Sequence, residues 1–101
     1  MKEIVTAARA PAAIGPYSHA VAAGGLLFTS GQIALVPETG ALAGDTIEEQ
    51  TEQVLKNLEA VLAAHQMTFA DVVKTTVFLT DLADFAAVNR IYGTRFPSAP
   101  P

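Results

Sequence analysis

The sequence predicts an α+β domain in which two helices lie on one face of a sheet. Three observations predict it. Two strand-length apolar runs flank Gly24-Gly25, a capped amphipathic pattern begins at Ile47, and a β-branched run from Val72 to Thr80 separates it from a second helical pattern. The resulting order is β-β-α-β-α, with Glu3 to Thr6 as a candidate extra edge strand.

The first run, Tyr17 to Ala23, and the second, Leu26 to Ser30, meet at a two-glycine turn of the kind that closes a hairpin. Alternation places Tyr17, His19 and Val21 on one face of the first run and Ser18, Ala20 and Ala22 on the other. The stretch from Ala7 to Ala13 is Ala-rich, but Arg9 and Pro11 argue against a helix there, and it reads as a loop. Pro37, Thr39 and Gly40 mark an irregular connection. It ends at Asp45-Thr46-Ile47-Glu48-Glu49, where Thr46 and Glu49 have the spacing of a capping box. The helix that follows is expected from about Ile47 to His65, with Ile47, Val54, Leu58, Val61 and Leu62 on its apolar stripe. His65, close to its C-terminus, complements the helix dipole. Val72 to Thr80 is too rich in β-branched residues for a helix and is expected to be a strand. Asp81 or Asp84 can cap a second helix whose apolar face carries Phe85, Val88 and Ile91 or Tyr92. Two helices cover only one sheet face, so the other is expected to be buried in an oligomer.

Composition narrows the function classes. A chain of 101 residues supports one hydrophobic core, so residues 1–101 read as a single domain. Six bases against ten acids give a net charge of −4, and the bases are scattered, which disfavours electrostatic binding to nucleic acid. With no cysteine there is neither a disulfide framework nor a thiolate nucleophile. No signal peptide or membrane-spanning run is visible, and a cytoplasmic location is the expectation. The last residues, Pro97-Ser98-Ala99-Pro100-Pro101, form a rigid stretch that usually leads into another element, so the chain is expected to be truncated at its C-terminus.

Few residues could carry chemistry. His19 and His65 lie on different elements with no carboxylate at ligand spacing, so no metal is expected. A triad of Ser30, His19 and Asp71 or Asp81 lacks the Gly-x-Ser-x-Gly elbow, and the glycines do not form a phosphate loop. What remains is Tyr17 behind the rigid Gly15-Pro16, the hydroxyl and backbone N–H groups of Ser30-Gly31-Gln32, and Asn89 on the second helix. That corner could hold a carboxylate. Equally, Tyr17 could be a half-buried strand residue, Ser30-Gly31 a bulge and Asn89 a solvated position, and spacing leaves both readings open.

Several motifs in order carry a resemblance: Gly15-Pro16-Tyr17-Ser18, Thr29-Ser30-Gly31-Gln32-Ile33, Pro37-Glu38-Thr39-Gly40, Gln50 to Leu62, Asp71 to Leu79, and Phe85 to Tyr92. Together they resemble the RidA family of reactive-intermediate (enamine/imine) deaminases, whose older labels are endoribonuclease L-PSP and translation-initiation inhibitor. The resemblance implies a chorismate-mutase-like fold: a mixed, six-stranded sheet with two helices on one face, assembled as a homotrimer around a central barrel. It implies hydrolysis of 2-aminoacrylate and related 2-imino acids to 2-keto acids and ammonia, in pockets between subunits, without metal or cofactor. By motif, Tyr17 is the catalytic candidate that orients substrate or water, Ser30 and Gly31 contact the bound acid, and Asn89 supports the site. No role for His19 is implied.

The same resemblance implies an Arg that clamps the substrate carboxylate and a Glu that positions water, both beyond Pro101. Arg95 does not match the clamp position. The natural product is accordingly expected to be about 25 residues longer, still a single domain. A non-catalytic trimeric module binding small carboxylates is the alternative. A ribonuclease or translation inhibitor ranks third, given the acidic balance and the lack of a histidine pair for acid-base cleavage.

Overall fold

The computed structural model of the chain describes residues 1–101. Strands β1 (Glu3–Val5), β2 (Ala20–Ala23) and β3 (Leu26–Thr29) form an antiparallel sheet in that order. Helix α1 (Ile47–Ala63) and helix α2 (Phe85–Arg95) follow, with single 3₁₀ turns at Phe69–Asp71 and Leu82–Asp84. The α+β class is as expected, and the glycine turn closes the hairpin with Gly24 and Gly25 both at positive φ, 60° and 79°, where a Cβ would be strained.

Register assigns the two sheet faces. Val5 pairs with Ala20, and Ala20 with Thr29. Val5 and Ala20 are buried with Ala7, Ala10 and Val61 in the hydrophobic core, so α1 covers this face. One residue along, Ile4, Val21 and Phe28 form the opposite row, and Ile4 is 52% and Phe28 59% exposed. Strand geometry alone forces this division, because successive side chains point to opposite faces.

Helix α1 starts where Thr46 predicts. The Thr46 hydroxyl accepts the Glu49 N–H at 3.1 Å, but the Glu49 carboxylate takes the Thr46 hydroxyl at 2.9 Å, so only one half of the expected box forms. Gly44 has φ of 148°, and a Cβ there would meet Glu49 Oε2 at 2.6 Å. The helix ends at Ala63, two residues short of expectation, where Gln66 turns to positive φ and the Met67 N–H bonds the Leu62 carbonyl at 2.9 Å. Its buried face also differs. Thr51, Leu55, Asn57, Val61 and Leu62 are buried, while Val54 and Leu58 are only half-buried. Polar residues enter this face because their bonds are satisfied: Thr51 donates to the Ile47 carbonyl at 2.7 Å, and Asn57 serves a loop.

Helix α2 lies beside α1 with Val88 and Ile91 buried, whereas Phe85, expected on its apolar face, is exposed. Asp81 caps the short turn before it, accepting the Ala83 N–H at 2.9 Å. Tyr92 and Phe96 stack with centroids 4.6 Å apart, and Phe69 meets Phe96 edge-on at 5.3 Å.

Two strand expectations are corrected. Val72 to Thr80 joins no ladder, and Val73, Val77 and Phe78 are exposed. β-Branched composition favours extended backbone, but a strand exists only where a neighbour takes its N–H and C=O groups, and no described strand lies alongside. One side chain tethers the segment, the Thr75 hydroxyl bonding the Tyr92 hydroxyl at 2.7 Å. The sheet consequently has three strands, all antiparallel, with the Val72 to Thr80 run outside it. The first run also begins late, at Ala20 instead of Tyr17. Alternation fails before that point: Tyr17 is 46% exposed, yet His19, expected on the same face, is 7% exposed.

Candidate functional site

The residues singled out by sequence divide between two places. Pro11, Ala12, Ile14 and Tyr17 form one lip of a shallow cleft, and Gly31, Gln32, Ile33 and Leu35 form the other. Tyr17 and Gly31 are thus brought together. Asn89 is not: it is exposed on α2 and does not line the cleft.

Local backbone explains the first lip. The Tyr17 N–H bonds the Gly15 carbonyl at 2.9 Å, a tight reversal that directs the phenol back over the loop. Its hydroxyl receives the Ile14 N–H at 3.4 Å, a long contact that leaves the oxygen with capacity to donate and accept. Ser30 is differently committed. Its hydroxyl donates to the Ser18 carbonyl at 2.5 Å and its N–H bonds the His19 carbonyl at 3.0 Å, extending the β2–β3 pairing by one residue. Gly31 leaves open space where a Cβ would stand, so backbone here is approachable by a ligand.

Two buried side chains absent from the sequence-based site hold these lips. His19 Nδ1 accepts the Ala7 N–H at 2.8 Å, and its Nε2 bonds the Pro11 carbonyl at 2.8 Å. Asn57, 1% exposed, donates through Nδ2 to the Ile33 and Leu35 carbonyls at 3.0 and 2.9 Å and accepts from Gln53 Nε2 at 2.9 Å. Asn57 was missed because it sits within an otherwise ordinary helical pattern. Polarity at a position between Val54 and Val61 was its only signal.

The cleft encloses about 40 Å³, room for a few waters and not for a four-carbon acid. A larger hollow of about 370 Å³ opens at the hairpin tip among Met1, Glu3, Gly24, Gly25, His65 and Met67, with none of the candidate residues on its walls. His65 reaches this hollow from the turn that follows α1. No group of three His, Asp or Glu side chains is placed to hold a metal ion. Arg95, which sequence position left without a site role, is held by Glu52, its Nη1 and Nη2 bonding Oε1 and Oε2 at 3.1 and 2.7 Å. No helix is long and apolar enough to cross a membrane.

Comparison with known proteins bears on this arrangement. Residues 7–101 match the family model described as Endoribonuclease L-PSP. The chain is 51% identical over 100 residues to the chloroplastic Reactive Intermediate Deaminase A of Arabidopsis thaliana, covering 99% of this chain and 54% of that protein. It therefore spans about half the length of that relative. Among solved structures, an endoribonuclease-labelled protein of Thermotoga maritima superposes with a TM-score of 0.96 at 50% identity, covering all of this chain and 80% of that one. Escherichia coli TdcF, crystallised with bound serine, superposes with a TM-score of 0.90 at 40% identity, covering 97% of this chain and 80% of that one.

Proposed function

We propose that this chain, which belongs to the RidA family described as Endoribonuclease L-PSP, hydrolyses 2-aminoacrylate and related 2-imino acids to 2-keto acids and ammonia. The observation that carries the reading is the meeting of Tyr17 and Gly31 across one cleft, in a chain half identical to a protein named a reactive intermediate deaminase. TdcF, crystallised with bound serine, holds a three-carbon carboxylate of the size of 2-aminoacrylate.

The chemistry asks little of the protein. The enamine tautomerises to the imine, water adds to the C=N carbon to form a C–O bond, and the C–N bond of the carbinolamine then breaks as ammonia leaves with the transferred proton. Tautomerisation moves a proton from nitrogen to the terminal carbon, and the later steps move protons from oxygen to nitrogen, transfers that a phenol hydroxyl able both to donate and to accept can assist in the Tyr17 position. Ser30 contributes backbone more than hydroxyl, since that hydroxyl is engaged with Ser18. Asn89 acts from a second surface.

One chain supplies only a wall of the site, because 40 Å³ does not admit the acid. We place the complete pocket between copies of the chain in a homotrimer joined through the Ile4, Val21 and Phe28 face. Exposed rows of large apolar side chains favour such burial.

The test is a coupled assay in which a dehydratase generates 2-aminoacrylate from serine and pyruvate appearance is followed with and without the protein. Acceleration is expected. No acceleration, together with calorimetric binding of 2-ketobutyrate, moves the assignment to a carboxylate-binding module.

A further inference from the structure

His19 is the buried titratable group that the proposed chemistry leaves unused. Its two ring nitrogens bond the two ends of one loop: Nδ1 lies 2.8 Å from the Ala7 amide and Nε2 2.8 Å from the Pro11 carbonyl. An amide N–H can only donate and a carbonyl can only accept. A single species satisfies both, the neutral imidazole with its proton on Nε2. An imidazolium would present an N–H to the Ala7 N–H and lose that bond. Within the loop, the Ala10 N–H bonds the Ala7 carbonyl at 3.2 Å, so the ring clasps a preformed turn and not a loose strand of chain.

This turn feeds directly into the Pro11, Ala12, Ile14 and Tyr17 lip of the cleft. The opposite lip is held by Asn57, which does not titrate. We propose that His19 is a positioning residue for the Tyr17 lip, acting only as the Nε2–H neutral imidazole, so that acid frees this lip while the Asn57-held lip stays in place. The charged and titratable side chains on the elements that carry the ring's neighbours are Glu3 of β1, Arg9 of the clasped loop, Tyr17 of the lip, Lys56 and Glu59 on α1 before Val61, and His65 in the turn after it. None of them hydrogen-bonds or pairs with it. β3 contributes no charge. The consequence for turnover rests on the deaminase reading. The clasp itself does not.

The experiment follows the intact protein by ¹⁵N NMR between about pH 7.5 and about pH 5, the interval in which histidine charge changes. Ring ¹⁵N shifts are expected to show only Nε2 protonated at the upper end. The protection factor of the Ala7 amide is expected to fall at least about tenfold with acid, while the Asn57 side-chain amide resonances remain fixed. His19→Gln retains an acceptor for Ala7 and a donor for Pro11 without a titrating group, and its Ala7 protection is expected to be flat across the range. In the imine assay, His19→Ala is expected to raise KM about fivefold or more with kcat changed less, and His19→Gln to restore KM to within about twofold. An Nδ1–H tautomer, or Ala7 protection that is independent of pH in the wild-type protein, overturns the proposal. An acid-labile clasp in a protein without deaminase activity upholds the clasp and removes the deaminase reading. KM unchanged in an active His19→Ala removes the positioning role.

Discussion

Arg95 grips Glu52 with both guanidinium nitrogens, Nη1 to Oε1 at 3.1 Å and Nη2 to Oε2 at 2.7 Å, fastening the end of α2 to the second turn of α1. The planar fork explains why this pair, and not the looser Arg90–Glu48 contact at 3.8 Å, locks the helices. Arg95 side-chain hydrogen bonds hold the Glu52 carboxyl below its ordinary value of 4.5, against the opposing effect of partial desolvation, and attraction to Arg95 and Lys56 adds to the lowering. A depressed carboxyl contributes stability that is present above 4.5 and is lost as pH falls through the folded-state value. Glu52 is 42% exposed, so solvent screening keeps the pair to about 0.5 kcal/mol. Urea denaturation at pH 7 and about pH 3 is expected to show a coupling of that size in an Arg95→Ala, Glu52→Gln double-mutant cycle at pH 7 and a smaller one in acid.

Gly44→Ala tests the start of α1. The substitution places a Cβ at positive φ and 2.6 Å from the Glu49 carboxylate that holds the Thr46 cap. A loss of about 1–2 kcal/mol is expected from backbone strain. Thr46→Ala is expected to lose about 1 kcal/mol through the cap alone. Because both act on one motif, their effects in the double variant are expected to sum to less than the two singles, measured by thermal denaturation.

Asn57→Leu keeps size and removes the donor. The Ile33 and Leu35 carbonyls would then lose their shared partner in a position that is 1% exposed. The expected loss is about 2–4 kcal/mol in denaturant titrations. Loosened exchange protection is expected at residues 31–36, whose Ile33 and Leu35 carbonyls it anchors, with Ala7 unaffected.

Tyr17→Phe separates site from scaffold. The hydroxyl is only 3.4 Å from the Ile14 amide, too long to matter much to stability, so the unfolding midpoint is expected to shift by less than about 0.5 kcal/mol in equivalent energy. Pyruvate release from the coupled assay is expected to fall by at least about tenfold. Unchanged turnover would remove Tyr17 from the mechanism.

Phe28→Lys puts a charge at the β3 end of the Ile4, Val21 and Phe28 row. Sedimentation equilibrium is expected to show trimers for the wild-type protein and monomers for the variant, with little change in the monomer's own core, since Phe28 is 59% exposed within one chain. A wild-type protein that is monomeric at micromolar concentration overturns the assembly.

Local chemistry was legible wherever the cause lies within a few residues. The Gly24-Gly25 turn and the Thr46 cap each follow from adjacent groups, and each stands close to its expected bounds. The strand expected at Val72–Thr80 failed for the opposite reason. Its β-branched residues favour extension, but the hydrogen-bond partner that makes a strand must come from elsewhere in the fold. Phe85 was misplaced because three- and four-residue spacing says which residues share a helix face and not which face meets the neighbour.

By itself the sequence determined the α+β class and the family, since motifs in order and short-range periodicity carry that information. Only the tertiary structure decided that His19 turns inward to clasp Ala7 and Pro11, that Asn57 holds the opposite lip, and that Arg95 is taken by Glu52. Those bonds join residues 8 to 43 positions apart, and a polar side chain finds its partner there by the geometry of packed elements, which no spacing along the chain encodes.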